Sequence, residues 1–170
     1  MRSLKFGAAL LAVVLVHVTA VRLLPTFPDY ADLFLVLVVF NALDGDSLAG
    51  LLGGVSAGLV KDALSGGPFG LFGLIDTIIG YGTAYAAQRL VIQRATGVFL
   101  LFTLAAACQQ VLLIGIALLL MLPEQAFSWV LVKVVTSGFL GVALLLANSR
   151  LRRQVESWRR SRRARIRFER

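Results

Sequence analysis

TGVFLLFTLAAACQQVLLIGIALLLML, residues 96–122, decides the fold: 27 residues without one charged side chain. A helix rises 1.5 Å per residue, so about 20 apolar residues cross the ~30 Å hydrocarbon core of a bilayer. Similar but shorter apolar runs lie on both sides of it, at residues 4–24, 33–43, 48–64, 69–87 and 127–147. The chain has 170 residues, of which 58% are hydrophobic and 15% charged. A soluble domain holds about 45–50% apolar and about 25% charged residues. No soluble core of this size buries so many long apolar runs. A bilayer does, because lipid replaces the core as the apolar phase and each helix satisfies its own backbone. The expected fold is all-α, a polytopic membrane protein of six transmembrane helices at residues 1–147, followed by a cytoplasmic tail at 148–170.

The runs differ in character. The first follows Met1, Arg2, Ser3 and Lys5, a start that also resembles a secretory signal with Val18-Thr19-Ala20 as a cleavage site. The later runs commit the chain to the membrane in either case. The second, 33–43, is short for a perpendicular crossing, so it is extended by Tyr30 and Ala31 or packed inside protein at one end. Residues 44–47 form a tight polar turn. The third run is glycine-rich and stops at Ser65-Gly66-Gly67-Pro68, because proline lacks an N–H and glycine weakens a helix. The fifth, 96–122, is long enough to tilt.

Charge fixes the orientation. Residues 148–170 carry ten Arg and two Glu, a net of +8, whereas residues 1–147 carry seven basic and seven acidic residues and sum to zero. Short loops rich in Lys and Arg stay in the cytoplasm. Six crossings put Arg2 and Lys5, Arg89 and Arg94, and the tail on one side, with both termini cytoplasmic. The tail places Leu151, Val155 and Trp158 at helical spacing among Arg150, Arg152, Arg153, Arg159 and Arg160. That pattern suits the headgroup layer of an anionic leaflet, or a cytoplasmic protein as docking partner. Nucleic acid is not expected, since no binding module accompanies the charge.

Gly50, Gly54 and Gly58 recur at four-residue spacing, beside Gly53 and Ala57, and the next run offers Gly73, Thr77, Gly80 and Ala84. Small residues let two helix backbones approach and gain contacts that lipid cannot match. These faces pack on each other within the chain or on a partner's helix. Asp62, Asp76, Lys61 and Lys133 lie in or near apolar runs, where an ionised group needs a partner. Lys133 is expected to pair with Asp76 or Asp62. Asp62 has an alternative, accepting hydrogen bonds from the free N–H groups at the start of the following helix. His17, the one histidine, reads as a hydrogen-bonded packing residue, and Cys108 as a small hydrophobe. No HExxH, Cys/His cluster or Ser-His-carboxylate set can be assembled, so no catalytic residue, metal ligand or cofactor is assigned.

The segment PDYADLFLVLVVFNALDGDSLAGLLGGVSAGLVKDALSGGPFGLFGL, residues 28–74, resembles the MreD family of rod shape-determining membrane proteins. The shared pattern is a Pro-Asp loop, a short apolar helix, a polar turn, then Gly50, Gly54 and Gly58 leading to Asp62, with Pro68 and Gly70 after it. The close pattern covers about a quarter of the chain; the arginine tail is not part of it. The resemblance implies a non-enzymatic scaffold of the bacterial inner membrane. It implies binding to MreC, a single-pass protein with a periplasmic coiled coil. It also implies links to MreB, RodA and a class B penicillin-binding protein during cell-wall elongation. The implied architecture is similar to the substrate-binding subunits of energy-coupling-factor vitamin transporters, which supply the alternative function. On this reading Gly50, Gly54, Gly58, Asp62, Pro68 and Gly70 serve helix packing or partner contact.

Overall fold

The computed structural model describes residues 2–43, 46–66, 68–89, 95–120, 132–141 and 143, and among them there is helix but no strand. The helices are α1 Arg2–Leu23, α2 Phe27–Tyr30, α3 Leu33–Ala42, α4 Ser47–Ser65, α5 Leu71–Arg89, α6 Ala95–Leu119 and α7 Val132–Gly141. Three segments, Leu4–Leu23, Ser47–Ser65 and Gly97–Leu119, are long and apolar enough to cross a membrane. The tail with Arg150, Arg152, Arg153, Trp158, Arg159 and Arg160 lies outside the described residues, as do residues 121–131. The one helix with no counterpart in the apolar runs is α2, a single turn with Pro28 near its start, where the missing N–H costs nothing.

At the centre stands α3, an apolar helix of only ten residues. Phe34, Leu35, Val36, Val38, Val39 and Ala42 are all buried. A helix that is apolar on every face belongs in a core. One side of α3 joins Ile75 and Ile79 of α5 and Val98, Leu101 and Phe102 of α6. On the other side Phe34 and Val38 meet Ala57 of α4 and Phe6, Leu10, Val13 and Val14 of α1. Ten residues span only about 15 Å, half of a bilayer's apolar thickness. Protein on both sides makes that length tolerable, because lipid need not cover its ends.

The most extensive helix pair is α4 with α5. Its seam is built of glycine. A Cβ on Gly50 would lie 2.5 Å from the Gly80 carbonyl oxygen, one on Gly54 would lie 2.6 Å from the Asp76 carbonyl carbon, and one on Gly58 would lie 2.7 Å from Gly73 Cα. Successive glycines of α4 thus meet successive turns of α5 in antiparallel order, backbone against backbone. The two small-residue faces pack on each other within the chain. Gly138 and Gly141 of α7 instead receive side chains of α6, those of Phe99 and Thr103 at Gly138 and of Phe102 at Gly141. By contrast α1 gives its apolar surface away: Leu4, Leu11 and Leu15 are 80%, 65% and 61% exposed, and among the described residues α1 packs mainly on α3, with Phe6 also near Gly53 of α4.

Candidate functional site

Polar residues converge at one end of the helices, where α1 and α4 finish and α3, α5 and α7 begin. The turn between α4 and α5 arranges the first of them. The chain leaves α4 through Gly66 at φ 67° and enters α5 through Gly70 at φ 96°. Both angles are left-handed and suit glycine. Pro68 accepts a hydrogen bond from Leu71 N on its carbonyl oxygen (3.3 Å). The path folds back so that Asp62 faces the open start of α5. Its Oδ2 accepts from Gly70 N (3.0 Å) and Gly73 N (2.9 Å), and its Oδ1 from Phe72 N (2.9 Å). One carboxylate thus caps the next helix with three backbone donors and is only 3% exposed.

Asp32 is the second buried acid, 5% exposed. It is the N-cap of α3, with Oδ1 accepting from Leu35 N at 3.0 Å. Its Oδ2 forms an ion pair with Lys61 Nζ. The ammonium also sits over the Phe72 ring, 3.7 Å from the centroid, a cation–π contact. So Lys61 and Asp62, adjacent on α4, tie the start of α3 and the start of α5 to the same helix end.

The third buried acid lies deeper. Asp76 is fully buried, and its Oδ1 accepts from Gln109 Nε2 of α6 at 2.8 Å. Its Oδ2 has no hydrogen-bond partner among the described residues. Asp62 accepts from backbone N–H groups and Asp76 Oδ1 from an amide. Among the described residues an ion pair joins Lys61 to Asp32, the acid that directly precedes α3. Lys133 lines the same cavity as that pair. His17 packs edge-to-face on Phe34 (5.2 Å between centroids) and Phe27 (6.4 Å). The hydrogen bond expected of it is missing at Nδ1, which is buried without a partner among the described residues.

Between these groups lies a cavity of about 620 Å³. His17, Arg22, Asp32, Lys61, Asp62 and Lys133 supply its polar lining, and Val21, Phe34, Leu64, Leu71 and Phe72 part of its apolar wall. Among the described residues no group of three His, Cys, Asp or Glu is placed to hold a metal ion. The arrangement is suited to binding, with fixed charges at the bottom of an apolar recess. No protein-family model, curated protein or solved structure matches the chain. Function must therefore be argued from this geometry and from the residues at 28–74.

Sequence reasoning missed three of these residues. Asp32 directly precedes an apolar run, which is the mark of an N-cap. Arg22 closes the first run and had no weight in the orientation argument. Gln109 interrupts the longest apolar run, and an amide there needs a partner on another helix. Each signal was present in the sequence.

The ion pair yields an expected outcome. Lys61→Met leaves Asp32 Oδ2 without its partner and lowers stability by about 2 kcal/mol, the range for a hydrogen bond to a charged group. Adding Asp32→Asn to the same chain restores most of the loss, since the uncompensated charge is gone. Equilibrium unfolding of both variants in mixed micelles checks this. Additive losses in the double variant would exclude the coupling.

Proposed function

We propose that this chain is a non-enzymatic membrane scaffold of bacterial cell-wall elongation, acting as the MreD family does. It crosses the inner membrane six times, in an architecture like that of energy-coupling-factor substrate-binding subunits, with both termini cytoplasmic. Its partners on this reading are an MreC-like single-pass coiled-coil protein, then RodA, a class B penicillin-binding protein and MreB. The arginine tail lies on anionic lipid.

The observation that carries the proposal is how the 28–74 segment is used. Gly50, Gly54 and Gly58 are consumed in the seam with α5, and Asp62 and Gly70 in fixing the α4–α5 turn. The segment that bears the resemblance thus builds a stiff body and leaves α1 with an open apolar face. A body braced by this seam, with an open apolar face on α1, is what a scaffold offers a partner's transmembrane helix.

The cavity favours a second reading, the substrate-binding subunit of a vitamin transporter. Short outer loops argue against a polar ligand when only loops are considered. Here the polar groups come from helix ends, so that argument loses its force. Affinity purification of the tagged chain from its own membranes in mild detergent separates the two. Recovery of a single-pass coiled-coil protein with cell-wall synthases supports the scaffold. Recovery of paired ATPases with a second transmembrane subunit overturns it in favour of the transporter.

A further inference from the structure

Of the three buried acids among the described residues, two are well served. Three backbone N–H groups bond to Asp62, and Leu35 N and Lys61 bond to Asp32. Asp76 differs. It stands about 8 Å along α5 from Leu71, and none of its surface is exposed. One donor reaches it, Gln109 Nε2 on Oδ1 at 2.8 Å. Its Oδ2 is buried and has no hydrogen-bond partner among the described residues. Asp76 is also absent from the lining of the cavity beside Asp32 and Lys61, so that opening gives it no water.

The elements packed around Asp76 do little to balance a charge on it. Helix α6 carries no charged residue, and α3 none except its N-cap Asp32. From α4 come Lys61 and Asp62, and the ammonium of Lys61 is held by Asp32 and the Phe72 ring. These three, two acids and one base, are the charged groups that act on Asp76 electrostatically. Lys133 of α7 faces the cavity that Asp76 does not line. A carboxylate out of water, with one amide donor and two acids in range, is far costlier than the same group carrying a proton. Buried acids in that position neutralise instead.

We infer that Asp76 is a proton-binding site in the helix core, with the proton on Oδ2 and Oδ1 bonded to Gln109, so that a neutral acid–amide pair joins α5 to α6. The step is simple: a proton from water forms one O–H bond and cancels one negative charge, with no other reactant. It turns a stranded acceptor into a donor and removes the charge that would draw water between α5 and α6. Neither helix holds a further acid or a histidine, so the site keeps one proton and does not relay it. The inference is independent of the scaffold and transporter readings, since it concerns the body that both require.

Infrared spectroscopy of the full-length chain in neutral detergent at neutral pH tests this, because the C=O stretch of a protonated carboxyl stands apart from carboxylate bands. The expected spectrum contains that stretch. It disappears in Asp76→Asn and persists in Asp46→Asn, which alters the exposed cap of α4. Gln109→Leu gives a second reading that does not need Asp76→Asn to fold: the band moves to higher frequency, because its carbonyl no longer accepts a hydrogen bond. Thermal midpoints establish which variants are folded, and that of Asp76→Asn stays close to wild type, since the amide offers one acceptor and one donor side as the neutral acid does. Absence of the band, its survival in a folded Asp76→Asn, or a band unmoved in Gln109→Leu overturns the proposal.

Discussion

Gly54→Ala is expected to cost the folded chain about 3 kcal/mol, at the upper end of what an overpacked core exacts. The reason is the identity of the neighbour. An added Cβ would overlap the Asp76 carbonyl and lie 2.7 Å from Thr77 Cα. These are backbone atoms of a helix, so no side-chain rotation relieves the contact; α4 and α5 must separate. Separation along an antiparallel seam also opens the Gly50 and Gly58 contacts, which makes the cost cooperative. Gly54→Leu should leave little folded protein. Gly82→Ala is the control, since nothing lies within 4 Å of a Cβ there. It should be neutral or stabilising by up to about 1 kcal/mol through helix propensity. Equilibrium unfolding in mixed micelles reads both variants. A Gly54→Ala loss within about 0.5 kcal/mol of Gly82→Ala would mean that the seam has room and that glycine is not required there, since surface substitutions scatter by that much.

Helix positions were legible because apolar runs and their breakers are local. The run at 48–64 became α4, Ser47–Ser65, and Gly66 ended it with a left-handed residue. The glycine ladder was legible as a packing face, but spacing alone left its counterpart open between the Gly73, Gly80 and Ala84 face and a partner's helix, and the structure puts it on α5. The ion pairs were not legible. Asp32 and Lys61 are 29 residues apart, and depth along separate helices gives only a coarse match between charges. Asp32 caps α3 and Lys61 lies one turn before the end of α4, so tertiary packing of α3 on α4 selects the pair. The cavity has the same origin, since its lining comes from α1, α3, α4, α5 and α7, which only the fold brings together. Loop composition carried no trace of this, because the polar groups reside on helix ends.

Asp62→Ala is the second large effect, expected to cost about 3 kcal/mol as three backbone N–H groups at the start of α5 lose an ionised acceptor. The side chain is too deeply buried for bulk water to replace it fully. Asn at this position separates two explanations. Its single oxygen can replace Oδ2 and keep the bonds from Gly70 N and Gly73 N, while its NH2 then confronts Phe72 N as donor against donor. Two bonds of three remain, and the loss should be roughly half that of alanine, by about 1 kcal/mol per neutral bond retained. If Asp62 instead mattered as the counter-ion of Lys133, the neutral amide would be no better than alanine. Lys133→Met would then offset the loss in Asp62→Ala, since removing both members of a buried pair is far cheaper than removing one. The cap predicts no such rescue, because the stranded groups are backbone N–H and remain stranded whatever stands at position 133. Unfolding of Asp62→Ala, Asp62→Asn and the Asp62→Ala/Lys133→Met double variant under one set of conditions decides between them. The ordering wild type, then Asn, then Ala, without rescue, identifies Asp62 as the residue through which α4 sets the start of α5.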